Sequence, residues 1–172
     1  MSVILASGCG YTSKPTPPAV KPGSSLQINS NFNGLRNGSY IYFQNGTNLP
    51  ERQLDKWSVF CALYVYNSEF GADYVTSVQP GEFQVSRSLN GREIVDSRDP
   101  SLGDIRLAGL VRWSGLDLPS YILYRTRLYL WSVDQPDVKS LTCFRKAGNY
   151  GDYYPRFEQI KMALGDMIQI NR

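Results

Sequence analysis

Few residues in this chain are of types that do chemistry, and the most informative type is missing: its 172 residues include no histidine. That absence removes the commonest general base, the usual Ser and Cys triads and the commonest metal ligand together. Neither Cys61 nor Cys143 has a Cys-x-x-Cys partner, and no phosphate-cradling glycine motif or Walker sequence occurs. Thiol exchange and nucleotide binding are therefore unsupported, and no cofactor and no metal is expected. An enzyme here would have to set two carboxylates across a cleft, as glycosidases do, drawing on Glu69, Asp73, Asp96, Asp99, Asp104 and Asp117. Solvated loop carboxylates are the simpler account, because nothing in their spacing singles out a pair.

The second resource is aromatic. There are 12 tyrosines, and Tyr64, Tyr66, Tyr121, Tyr129 and Trp131, with the cluster Tyr150, Tyr153 and Tyr154, could expose flat rings to a sugar or a partner surface. Arg106, Arg112, Arg125 and Arg127 could add a basic face for an anionic polymer such as lipid headgroups. Both sets also have a structural explanation, since tyrosine packs well in sheets and arginine solvates a sheet face. The net charge of +3 is modest and Lys and Arg are scattered, whereas nucleic acid calls for a basic stripe; no nucleic-acid partner is expected.

The third cysteine is different. Leu5-Ala6-Ser7-Gly8-Cys9-Gly10 resembles the lipobox of bacterial lipoproteins, in which the signal peptide is cut before the cysteine and the thiol receives diacylglycerol. Small side chains at Ala6, Ser7 and Gly8 would let the peptidase reach the backbone. Acyl chains of the palmitate type, each contributing roughly 0.8 kcal/mol per buried methylene, would anchor the protein without a membrane-spanning helix. The match departs from the family at Ala6, where Leu is usual, and the apolar run Val3 to Ala6 is shorter than a signal-peptide core. We read Met1 as lying downstream of the natural start. Gly10 after the cysteine implies outer-membrane sorting, because Asp there favours the inner membrane. With Cys9 lipidated, Cys61 and Cys143 remain, and an even remainder in an oxidising compartment suggests one disulfide; two buried thiols are the alternative.

These residues need elements to position them. Residues 1–8 read as a signal-peptide remnant and 9–25 as a lipidated, proline-rich tether, since Pro15, Pro17, Pro18 and Pro22 among small polar residues bury too little apolar surface to fold. Residues 26–172 read as a single β-rich domain. Leu26 to Ile28 and Ser39 to Gln44 alternate, and Asn45-Gly46 is a hairpin signal. Trp57 to Tyr66 is apolar on both faces, hence central. Tyr74 to Val78, Glu82 to Arg87 and Arg92 to Val95 follow, separated by turns at Pro80-Gly81 and Asn90-Gly91. After a polar loop over 97–103, Asp104 to Trp113 alternates; after a turn at 117–119, Ser120 to Trp131 and Val138 to Lys146 are expected to pair antiparallel. Pro155, the spacing of Phe157, Ile160 and Leu164, and Gly165 bound a helix, with a last strand at Met167 to Ile170. The fold class is mainly β: an antiparallel β-sandwich or partly open barrel with one C-terminal α-helix.

Tyr40 to Gly46, Phe60 to Leu63, Val78 to Val85, Leu141 to Cys143, and Ile160 to Ile170 with Leu164-Gly165-Asp166 together are similar to a group of small proteobacterial lipoproteins. The resemblance implies an envelope location and the cysteine bridge, and supplies no catalytic residue. The expectation is a membrane-anchored, periplasm-facing lipoprotein of the outer membrane, acting as a non-catalytic binding or structural module. Its partners would be the membrane, through the lipid, and another envelope protein or a glycan. A carbohydrate- or peptidoglycan-binding domain, or a carboxylate-based hydrolase, is the alternative.

Overall fold

The computed structural model describes residues 16–96, 120–148 and 154–171. Cys9, the 97–103 loop, the expected strand Asp104 to Trp113 with Arg106 and Arg112, the turn at 117–119, Asp99, Tyr150 and Tyr153 lie outside the described residues. Along the chain run β1 (Ser25–Ile28), β2 (Phe32–Arg36), β3 (Ser39–Gln44), β4 (Thr47–Leu49), β5 (Phe60–Val65), β6 (Val75–Val78), β7 (Gly81–Asp96), β8 (Ser120–Trp131), β9 (Val138–Lys146), α1 (Phe157–Leu164) and β10 (Ile168–Asn171). Eight strands form one curled antiparallel half-barrel sheet in the order β10-β1-β7-β8-β9-β5-β3-β4, and β2 and β6 pair beside it.

The sheet curls around its helix because alternation puts an apolar stripe on that side of every long strand. Leu26 and Ile28 of β1, Phe83 and Val85 of β7, Leu128 and Leu130 of β8, Leu141 and Cys143 of β9, Cys61 and Leu63 of β5, and Ile41 and Phe43 of β3 are buried together with Ile160, Ala163 and Leu164 of α1. Each buried Val, Leu, Ile or Phe among them contributes roughly 1.5–3 kcal/mol on leaving water. Cys61 and Cys143 stand directly opposite each other on β5 and β9, and their sulfurs form a disulfide within this core. The helix is the expected one, with Gly165 just past its end and Pro155 one residue before its Arg156 N-cap.

Three expectations are corrected. Asn90-Gly91 makes no turn, and β7 runs unbroken from Gly81 to Asp96. Asn90 sits opposite Thr126, whose hydroxyl donates to its Oδ1 at 2.7 Å, and Gly91 sits opposite Arg125, whose Nε would lie 3.1 Å from an added Cβ. The dipeptide thus serves cross-strand fit, whereas Asn45-Gly46 does turn, with φ of 51° and 73°. Second, β5 starts at Phe60, and Trp57 lies in a turn held by Asp55, whose carboxylate accepts from the Trp57 N–H at 3.0 Å and the Ser58 hydroxyl at 2.7 Å. Third, the proline-rich stretch is docked from Thr16 onward. Val20 is fully buried in the core, and the Thr16 carbonyl accepts from Asn90 Nδ2 at 2.9 Å.

Candidate binding face

The strand pairings fix which side chains share the sheet face turned away from α1. Tyr40 opposes Tyr64, Tyr64 opposes Ser140, Ser140 opposes Tyr129, and Tyr129 opposes Arg87, a row across β3, β5, β9, β8 and β7. The neighbouring row reads Tyr42, Ala62, Thr142, Arg127 and Leu89, and the next Phe60, Phe144, Arg125 and Gly91. Beyond Phe60 the face closes over: Leu54 covers Phe60, Phe144 and Leu123, and the Phe60 and Phe144 rings stack at 5.1 Å. The rows from Tyr42 to Tyr40 and outward stay open.

On the open part tyrosines stack in a ladder. Tyr40 lies 6.1 Å from Tyr42 and 4.7 Å from Tyr64, and Tyr64 lies 6.0 Å from Tyr66, with interplanar angles of 26°, 29° and 6°. Tyr64 therefore stacks on two rings, Tyr40 across the strand pair and Tyr66 along its own chain. Tyr40 and Tyr66 in it are 38% and 39% exposed. Across the buried floor of Ser140 and Thr142, the Arg87 guanidinium sits 5.8 Å over the Tyr129 ring, and Arg127 Nε donates to Thr142 Oγ1 at 3.2 Å. Arg125 pairs with Glu93.

The Arg125 guanidinium responds to these surroundings. Burial first, then the Arg127 charge, holds Arg125 below its ordinary pKa, while Tyr129 and Tyr40 act the other way. Burial, then Tyr40 and Tyr66, pushes the Tyr64 phenol up, against Arg127. Tyr42, hydrogen-bonded to the Glu51 carboxylate, is raised most, chiefly by burial and then by the Glu51 charge.

Of the residues singled out from sequence, Tyr64, Tyr66, Tyr129, Trp131, Arg125 and Arg127 meet on this face, with Trp131 59% exposed at the end of β8. Tyr121 shares the face but lies at its far end, where Lys146 Nζ sits 4.6 Å from its ring and 3.2 Å from that of Trp57. Tyr154 packs elsewhere, edge-on to Tyr124 at 5.4 Å. Glu69 and Asp73 are exposed after β5, and among the described residues no three Asp, Glu or Cys side chains gather as a metal site. Sequence reasoning missed Tyr40, Tyr42 and Arg87. Tyr40 and Tyr42 alternate visibly in β3, but their register against β5 is not written locally. Arg87 reaches the face because a bulge at Ser86 shifts the register between Val85 and Arg87, turning Arg87 outward beside Tyr129.

The chain matches no protein-family model, and neither a curated protein nor a solved structure is significantly similar to it.

Proposed function

We propose that this protein is a bacterial envelope lipoprotein, acylated at Cys9, whose β-domain faces the periplasm and binds a partner non-catalytically through the face away from α1. The observation that carries the binding role is the tyrosine ladder, open to solvent beside Arg87 and Arg127 on a five-strand platform. Tyrosine and arginine are the residue types that concentrate binding energy at interfaces. The buried Cys61–Cys143 disulfide is in keeping with an oxidising compartment, and the lipobox-like Leu5 to Cys9 supplies the anchor.

The anchor is tested by expressing the full-length gene product and its Cys9→Ser form with an alkynyl palmitate label. Wild type is expected to take up label and sediment with membranes, and the variant to do neither; sedimentation of the variant at unchanged mass overturns the lipid anchor. The face is tested with a photo-crosslinking residue at Tyr66, which is expected to yield a defined adduct in intact cells. The same residue at Lys161, exposed on α1, is expected to yield none. Equal adducts from both positions remove the face as the binding site.

A further inference from the structure

Resting on that reading of the face, we infer that its occupant is the acidic surface of a second protein, held by Asp or Glu carboxylates on Arg87 and Arg127 with phenol hydroxyls of the ladder beside them. Two observations select this partner.

The first is hydrogen-bond sense. Guanidinium groups only donate, and phenols can donate as well as accept, so the platform around Tyr40, Tyr64, Arg87 and Arg127 is rich in donors. Among the described residues Glu93 is the carboxylate in contact with a guanidinium of this block, and it is taken by Arg125. Arg127 spends its Nε on Thr142, which fixes the side chain, and among the described residues its two terminal nitrogens remain for a ligand. A planar fork held in that way suits a carboxylate, which accepts two parallel N–H bonds.

The second is breadth. Tyr40, Tyr64, Ser140, Tyr129 and Arg87 form one row across five strands, with Arg127 in the row beside it. A continuous platform of that width, with tyrosine and arginine as its prominent side chains, fits the broad surface of another protein.

The test uses the full chain in non-ionic detergent and measures binding of poly-L-glutamate, alginate and neutral dextran by isothermal titration at low and moderate salt. Poly-L-glutamate is expected to bind, more weakly as salt rises, and dextran not to bind. Arg87→Ala with Arg127→Ala is expected to cost more than about tenfold in affinity, the effect of losing charge-assisted hydrogen bonds. Tyr64→Phe, which keeps the ring and removes the hydroxyl, is expected to cost several-fold. Arg36→Ala with Lys161→Ala removes the same charge from exposed positions elsewhere and is expected to change affinity by less than about twofold. The inference is overturned if the charge-matched control costs as much, if poly-L-glutamate fails to bind, or if alginate binds as tightly at equal charge density, which makes the occupant an acidic glycan. A defined Tyr66 adduct in cells together with no poly-L-glutamate binding would leave the face standing as a docking site and remove only its acidic partner.

Discussion

Gly46 and Gly165 touch backbone to backbone: a Cβ on Gly165 would lie 2.5 Å from the Gly46 Cα. Gly165 also has a φ of 57° with ψ of −140°, a conformation that side chains oppose, and the Gly46 N–H donates to the Ala163 carbonyl at 3.1 Å. The β3–β4 turn is thereby locked to the end of α1. Gly165→Ala combines backbone strain with overpacking and is expected to lower the unfolding free energy by about 3 kcal/mol, read from urea midpoints. A loss below about 0.5 kcal/mol would show that the contact relaxes freely. Gly165 was legible as a helix stop and Asn45-Gly46 as a turn, but their meeting was not, because contacts between distant residues leave no local pattern.

Tyr42 gives a pH dependence of known sign. Its phenol is raised above the ordinary value of 10.0 in the folded state, and Tyr64 shifts in the same direction. The neutral phenols therefore stabilise the fold fully below pH 10, and that contribution is lost as pH rises above 10. Unfolding free energy is expected to fall in that range by at most about 1.4 kcal/mol per pH unit for each resisting tyrosine. Tyr42→Phe should flatten the slope, and an unchanged slope would count against Tyr42 as its source.

Among the elements, β5 and β9 carry the covalent link. The residues are 82 apart in sequence, so the disulfide closes a long loop of the unfolded chain. Replacing both cysteines by alanine is expected to cost about 3–5 kcal/mol. Because both cysteines are fully buried, dithiothreitol should reduce the bond only as the protein unfolds; rapid reduction in native buffer would contradict that burial. The strands β8 and β9 follow the sequence reading to the residue, since both are long and a proline turn separates them. β2 was not legible: Phe32 to Arg36 lies in an Asn- and Gly-rich stretch, and among the described residues it pairs only with β6, beside the main sheet. β7 misled because Asn-Gly is a strong turn signal when read alone, and only the facing Thr126 and Arg125 explain its use within a strand.

In the whole molecule, the curled half-barrel sheet and the helix near the C-terminus agree with the partly open barrel of the expected fold class. Sequence alternation showed which residues share a face along one strand. It could not show which strands are neighbours, and so the joining of the tyrosine ladder to the arginines across β9 was hidden. The N-terminal segment enters from the opposite side. Thr16 is bound to Asn90, and Asn90 to Thr126, a residue buried on the helix side.

That attachment shortens the leash. From position 9 to Thr16 a fully stretched chain spans only about 25 Å, less than half the reach of a spacer running free to Ser25. An acylated Cys9 would keep the domain within one small-protein diameter of the bilayer. On the proposed anchor, a partner of the tyrosine platform would therefore have to stand close to the membrane itself.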